Sequence, residues 1–129
     1  MTNDLNVLGV GQISRTVSDI ESSEAWYRDA VGLSHLFTFN TLAFFDIGGT
    51  RLMLSQEEQL QAAESIIYIR VRDIHVAHQE MQSRGVAFTQ PPHIIHRHEN
   101  GSEEWMAFFD DPDGRPLAIM ETVVPPGAH

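Results

Sequence analysis

Leu42-Ala43-Phe44-Phe45-Asp46-Ile47-Gly48-Gly49-Thr50-Arg51-Leu52 returns later in the chain as Met106-Ala107-Phe108-Phe109-Asp110-Asp111-Pro112-Asp113-Gly114-Arg115-Pro116-Leu117. Two alternating segments around a glycine-bearing turn, repeated within one chain, argue for a duplicated module. Each copy follows an amphipathic stretch opened by Val-x-Asp-Ile, at Val17-Ser18-Asp19-Ile20 and at Val71-Arg72-Asp73-Ile74. These anchors lie 54 positions apart, whereas the Ala-Phe-Phe-Asp segments lie 64 apart, so the second copy has ten extra residues between helix and hairpin. The extra segment contains His93, His96 and His98, and any chemical difference between the halves is expected there.

Outward from the hairpins the order reads strand, helix, three strands, twice. Residues 7–16 suit a strand. Ser18 or Asp19 then offers a cap, and Glu21 completes a capping box with Ser18. Ile20, Trp26, Tyr27, Ala30 and Val31 form one helical face, and Gly32 supplies the left-handed stop. Residues 35–39, 41–47 and 50–55 complete the first module, about 7–55. A polar linker, 56–64, leads to the second, about 65–121. There Asp73 caps a helix whose stripe is Ile74, Ala77, His78 and Met81. A strand over 86–90 is expected to end at Pro91-Pro92, which cannot donate to a ladder.

With 129 residues and 42% hydrophobic content, the chain suits a single domain in which the two modules pack together. Eight basic against eighteen acidic residues give a net charge of −10, and no basic cluster interrupts it. Nucleic acid is therefore a poor partner. Cysteine is absent, which excludes disulfides, thiolate metal sites and cysteine nucleophiles. No segment approaches the ~20 apolar residues of a membrane span, and residues 1–6 carry no basic region or long apolar run, so no membrane partner and a cytoplasmic location are expected.

The combination of Gln-x-x-x-x-Val-x-Asp-Ile, Tyr-Arg-Asp-x-Val-Gly-Leu and Phe-Phe-x-Asp-Pro-Asp-Gly-x-x-Leu resembles the vicinal oxygen chelate superfamily. That superfamily includes glyoxalase I, extradiol dioxygenases, methylmalonyl-CoA epimerase and the bleomycin and fosfomycin resistance proteins. The resemblance covers roughly residues 12–121. It implies an α+β fold of tandem βαβββ modules, whose curved sheets form a cup for a small molecule, generally in a homodimer.

The resemblance also implies where metal ligands would stand. In the first strand the position is Gln12, a permitted ligand. The matching position of the second half is Ile66, and the two carboxylate positions beyond the hairpin glycines hold Met53 and Ala118. A lone neutral glutamine does not hold an ion that prefers several imidazole or carboxylate donors, so no metal and no cofactor are expected. His93, His96 and His98 leave a separate zinc site open; the plainer alternative is a histidine-rich, solvent-facing edge.

Alternation assigns Leu42, Phe44, Asp46, Arg51, Met53 and Ser55 to the ligand face, with Met106, Phe108, Pro116, Ala118 and Met120 as the second set. The opening strands add Gln12, Ser14 and Thr16, and Ile66, Tyr68 and Arg70. Such a lining suits an amphipathic molecule, since aromatic walls supply area and isolated polar groups set orientation. The face is alternatively packed shut by its own aromatics, and Arg70 has a plain alternative as the ion-pair partner of Asp46. The leading reading is a metal-independent small-molecule binding protein that sequesters or senses its ligand. The alternative is a lyase, isomerase or detoxifying enzyme using a non-family metal site or metal-free groups such as Tyr68 and His96. No nucleophile-base-orienter set is legible, so catalysis is not assigned.

Overall fold

The computed structural model describes residues 8, 10–60 and 65–126. Within them the duplication is visible as two copies of one arrangement. The first copy runs β1 (Gln12–Val17), α1 (Ile20–Asp29), β2 (Ser34–Phe39), β3 (Leu42–Ile47) and β4 (Thr50–Gln56). The second runs β5 (Ile67–Arg70), α2 (Ile74–Ser83), β6 (Phe88–Arg97), β7 (Glu103–Asp110) and β8 (Pro116–Val123). Each copy makes one four-stranded sheet, ordered β1-β4-β3-β2 and β5-β8-β7-β6, with the first pair parallel and the others antiparallel. This is the α+β, tandem βαβββ architecture expected from the repeat. Val7, and residues 61–64 of the linker, lie outside the described residues.

Helix starts are fixed twice over. Asp19 and Asp73 are the N-caps, accepting from Ser22 N and from His75 N and Val76 N respectively. The expected capping box of Ser18 and Glu21 does not form. Asp19 takes the cap position, and Ser18 turns to Asp113, which accepts from its backbone N at 3.1 Å and from its hydroxyl. A second acceptor reaches each helix from the neighbouring sheet, for Ile20 N donates to Gln56 Oε1 and Ile74 N to Glu121 Oε1, each at 2.8 Å. Gln56 and Glu121 are equivalent in the repeat, so Glu121 faces the helix, as alternation with Ala118 requires.

Strand β6 corrects the expectation that Pro91-Pro92 ends a strand. It continues through both prolines to Arg97, with register shifts between Phe88 and Gln90, Gln90 and His93, and Ile94 and His96. The physical reason is position: β6 lies at the edge of its sheet, where a residue without an N–H need leave no ladder bond unmade. Most of the ten extra residues are thus a longer β6 and its turn. In the first hairpin the turn expectation holds, with Gly48 and Gly49 at φ 56° and 99°.

One apolar core joins the modules. Val17, Tyr27, Phe45, Leu52 and Leu54 share it with Ile74, Phe109, Leu117 and Ile119. Trp26 on α1 packs against Phe109 of β7, with ring centroids 6.2 Å apart, and Trp105 meets His75 of α2. Both tryptophans, Phe45 and Phe109 therefore lie on the helix-covered side. Among the described residues no helix is long and apolar enough to cross a membrane.

Within this core lies a buried polar junction. Arg15 is on the apolar side of β1, between Ile13 and Val17, and its guanidinium crosses to the second module. Nη2 donates to Ser65 O at 2.7 Å and Pro116 O at 3.0 Å, and Nη1 lies 3.7 Å from Asp111 Oδ2. Tyr27 Oη donates to the same carboxylate at 2.8 Å, and Asp111 Oδ1 accepts from the backbone N of Asp113 and Arg115. Burial pushes the Tyr27 hydroxyl well above its ordinary range, against the pull of Arg15. The equivalent positions of the second copy are Ile69 and Met81, so the repeat is broken here.

Candidate functional site

The side of each sheet turned away from its helix is a lattice of register partners. In the first module Gln12, Arg51 and Asp46 form one row, and Ser14, Met53, Phe44 and Phe37 the next. In the second, Tyr68, Ala118, Phe108 and Gln90 form one row, and Arg70, Met120, Met106 and His93 the next. The residues expected on the ligand face thus share a face within each module.

Burial separates the two sides of each sheet. Phe45 and Phe109, on the helix side, are fully buried, whereas their neighbours Phe44 and Phe108 keep partial exposure. Tyr68 is 46% exposed and Phe37 46%. Gln12, Ser14 and Arg51 are also exposed, while Met53, Met106 and Met120 are intermediate. Ala118 is wholly buried, and Ile66 stands just before β5. Aromatic side chains of the chain itself therefore do not seal this side.

The aromatic contacts run within each module. Phe37 stacks on Phe44 at 4.6 Å and 26°, and the Arg51 guanidinium lies 5.3 Å from the Phe44 centroid and 5.9 Å from that of Phe37. Tyr68 meets Phe108 edge-on at 6.3 Å, and His93 approaches Phe108 at 6.2 Å. Phe37 and His93 enter the lining as residues the sequence reading omitted. A bulge between His35 and Phe37 breaks the alternation, and β6 was expected to have ended before His93. Both expectations would have been corrected by treating β2 and β6 as edge strands.

The Arg70 to Asp46 ion pair does not form. Arg70 Nη1 donates to Thr122 Oγ1 at 3.3 Å, and Asp46 Oδ1 accepts from Gly49 N at 3.2 Å. Thr122 in turn donates to Glu104 Oε1 at 2.5 Å, whose other oxygen accepts from His98 Nε2 at 3.0 Å. Those two hydrogen bonds, Thr122 first, hold the Glu104 carboxyl below the usual carboxylate range.

The histidines of the long hairpin divide their attention. His93 Nδ1 donates to Pro91 O at 2.7 Å, His98 is engaged by Glu104, and the His96 ring meets the His98 ring edge-on, 4.7 Å away. Among the described residues no three His, Asp or Glu side chains are gathered to hold a metal ion. The four positions where the resemblance would put ligands do not fit a divalent ion either. Gln12 Nε2 reaches the Met53 thioether at 3.9 Å, and Ile66 and Ala118 have no donor atom in their side chains.

Comparison with known proteins gives a consistent fold. The family model for the Glyoxalase/Bleomycin resistance protein/Dioxygenase superfamily matches residues 9–119. A lactoylglutathione lyase structure from Agrobacterium tumefaciens superposes with a TM-score of 0.67 at 20% identity, covering 90% of this chain and 95% of that one. A superfamily member from Sphaerobacter thermophilus gives 0.69 at 24% identity, covering 89% and 98%. Among curated proteins, the metallothiol transferase FosB of Staphylococcus haemolyticus is 34% identical over 58 residues. That stretch is 45% of this chain and 42% of the relative, so less than half of either is matched.

Proposed function

The chain belongs to the glyoxalase/bleomycin resistance protein/dioxygenase superfamily, and from that premise we propose that it is a metal-independent binding protein for an amphipathic small molecule. Sequestration or sensing needs a lined, accessible face and no reacting group. The observation that carries the reading is the contrast in burial between Phe44 and Phe108 on one side and Phe45 and Phe109 on the other. Aromatic and thioether surface left accessible on both sheets is suited to a ligand's apolar body, and Gln12, Ser14, Tyr68 and Arg70 to orienting its polar groups. Met53, Ile66 and Ala118 support metal independence, because Lewis-acid chemistry would need hard donors at their positions.

The test is a fluorescence titration with 8-anilinonaphthalene-1-sulfonate. Wild type should bind saturably, and Phe108→Ala should weaken binding by about 1 to 3 kcal/mol of lost apolar contact. Wild type without saturable binding, or an unchanged affinity in the variant, would overturn the reading.

We further propose that the working form is a homodimer in the cytoplasm. Edge strand β2 exposes Leu36, Phe37 and Phe39, and edge strand β6 exposes Ile94 and Ile95, which is more apolar edge than a lone chain usually leaves open. Light scattering should return about twice the 14.5 kDa chain mass. A monomer at micromolar concentration would contradict it.

A second reading, a detoxifying transferase or other enzyme, draws support from the partial similarity to the FosB proteins and from the His98-Glu104-Thr122 chain, which offers acid/base groups beside Arg70. It would have to operate without the superfamily's usual metal donors.

A further inference from the structure

The open side of the first module carries a guanidinium that makes no ion pair among the described residues, although Asp46 is its cross-strand neighbour. We propose that Arg51 anchors an oxyanion subsite, selecting ligands that combine a flat apolar body with a carboxylate, sulfonate or phosphonate group. The inference rests on the small-molecule binding reading and names the ligand class for that site.

Arg51 is the second residue of β4 and is exposed. Among the described residues its guanidinium lies against the two aromatic faces and makes no hydrogen bond or ion pair. Its register partners are turned elsewhere. The Gln12 amide reaches Met53 Sδ, and the Asp46 carboxylate accepts from the Gly49 backbone. Arg28, Arg84 and Arg97, by contrast, each have a carboxylate partner.

A guanidinium lying against aromatic rings keeps its N–H fork available in its own plane, and that fork matches an oxyanion with two parallel hydrogen bonds. The stacked pair of rings limits the rotamers of the long side chain, so less entropy is lost when an anion docks. Phe44 and Met53, in the adjoining row, are placed to meet the apolar body of the same ligand. The need for a fixed cation is greater because the whole chain carries a charge of −10, which disfavours anions at long range. Asp46 opposes the subsite at short range, so its neutralisation should strengthen anion binding.

Two probes that share a skeleton test this: 8-anilinonaphthalene-1-sulfonate and N-phenyl-1-naphthylamine, which lacks the sulfonate. Arg51→Gln should weaken binding of the sulfonate about tenfold and change binding of the neutral probe by less than about twofold. Arg51→Lys, which keeps the charge without the planar fork, should fall between, and Asp46→Asn should tighten the sulfonate alone. Equal effects of Arg51→Gln on both probes, no effect on either, or anion selectivity that disappears with Arg70→Gln instead, would overturn the subsite while leaving the binding reading intact. A wild-type chain that binds neither probe would overturn both.

Discussion

Asp111→Ala should destabilise the fold by about 3 to 5 kcal/mol, as expected when one member of a buried ion pair is removed and the other remains. The carboxylate is the meeting point of the Arg15 guanidinium, the Tyr27 hydroxyl and the backbone N–H groups of Asp113 and Arg115. Its loss removes a buried countercharge from beside Arg15, and leaves the turn between β7 and β8 without its side-chain acceptor. Arg15 also donates to Ser65 O and Pro116 O, so the damage falls on the junction of the two modules. Asp111→Asn, which keeps an acceptor, should cost less. Urea melts of the three proteins measure the difference. A loss below about 1 kcal/mol for the alanine variant would mean that the junction is not closed in solution.

Phe109→Ala should carry a comparable stability cost, about 3 to 5 kcal/mol, because it empties a fully buried ring site between Trp26 and Phe88. Phe108→Ala, one residue away on the same strand, should cost much less stability, since that ring is still partly in contact with water. The two variants invert in the binding assay, where only the Phe108 change removes surface available to a ligand. Comparable destabilisation by both would mean that the open side is packed shut, and the ligand reading would lose its basis.

Local signals carried the fold well where residues act through neighbours close in sequence. The Asp73 cap, the Gly48-Gly49 turn and the shared face of Phe44 and Met53 follow from spacing and alternation, because each depends on a few adjacent dihedrals, whereas for α1 spacing offered Ser18 or Asp19 and the structure uses Asp19. What alternation could not foresee was set by position in the sheet. Pro91-Pro92 reads as a terminator until β6 is known to be an edge, and Phe37 changes face because of a bulge. Nor did any local pattern pair Ser18 with Asp113 or Arg15 with Asp111, which are far apart in the chain. The one hint was a charge on the apolar side of β1, a position that demands a partner somewhere in the core. For the site, the sequence supplied most of the lining from the duplicated hairpin. It omitted Phe37 and His93, both on edge strands, and left open whether the lining was accessible.

Metal independence, the central claim, is tested most directly by one titration performed twice. Protein dialysed against EDTA is titrated with 8-anilinonaphthalene-1-sulfonate, then titrated again with a stoichiometric excess of manganese, nickel or zinc present. Gln12, Met53, Ile66 and Ala118 predict saturable binding in EDTA with an affinity unchanged, to within about twofold, by any of the three ions. Binding that is absent in EDTA and appears only when one of these metals is restored would contradict the account.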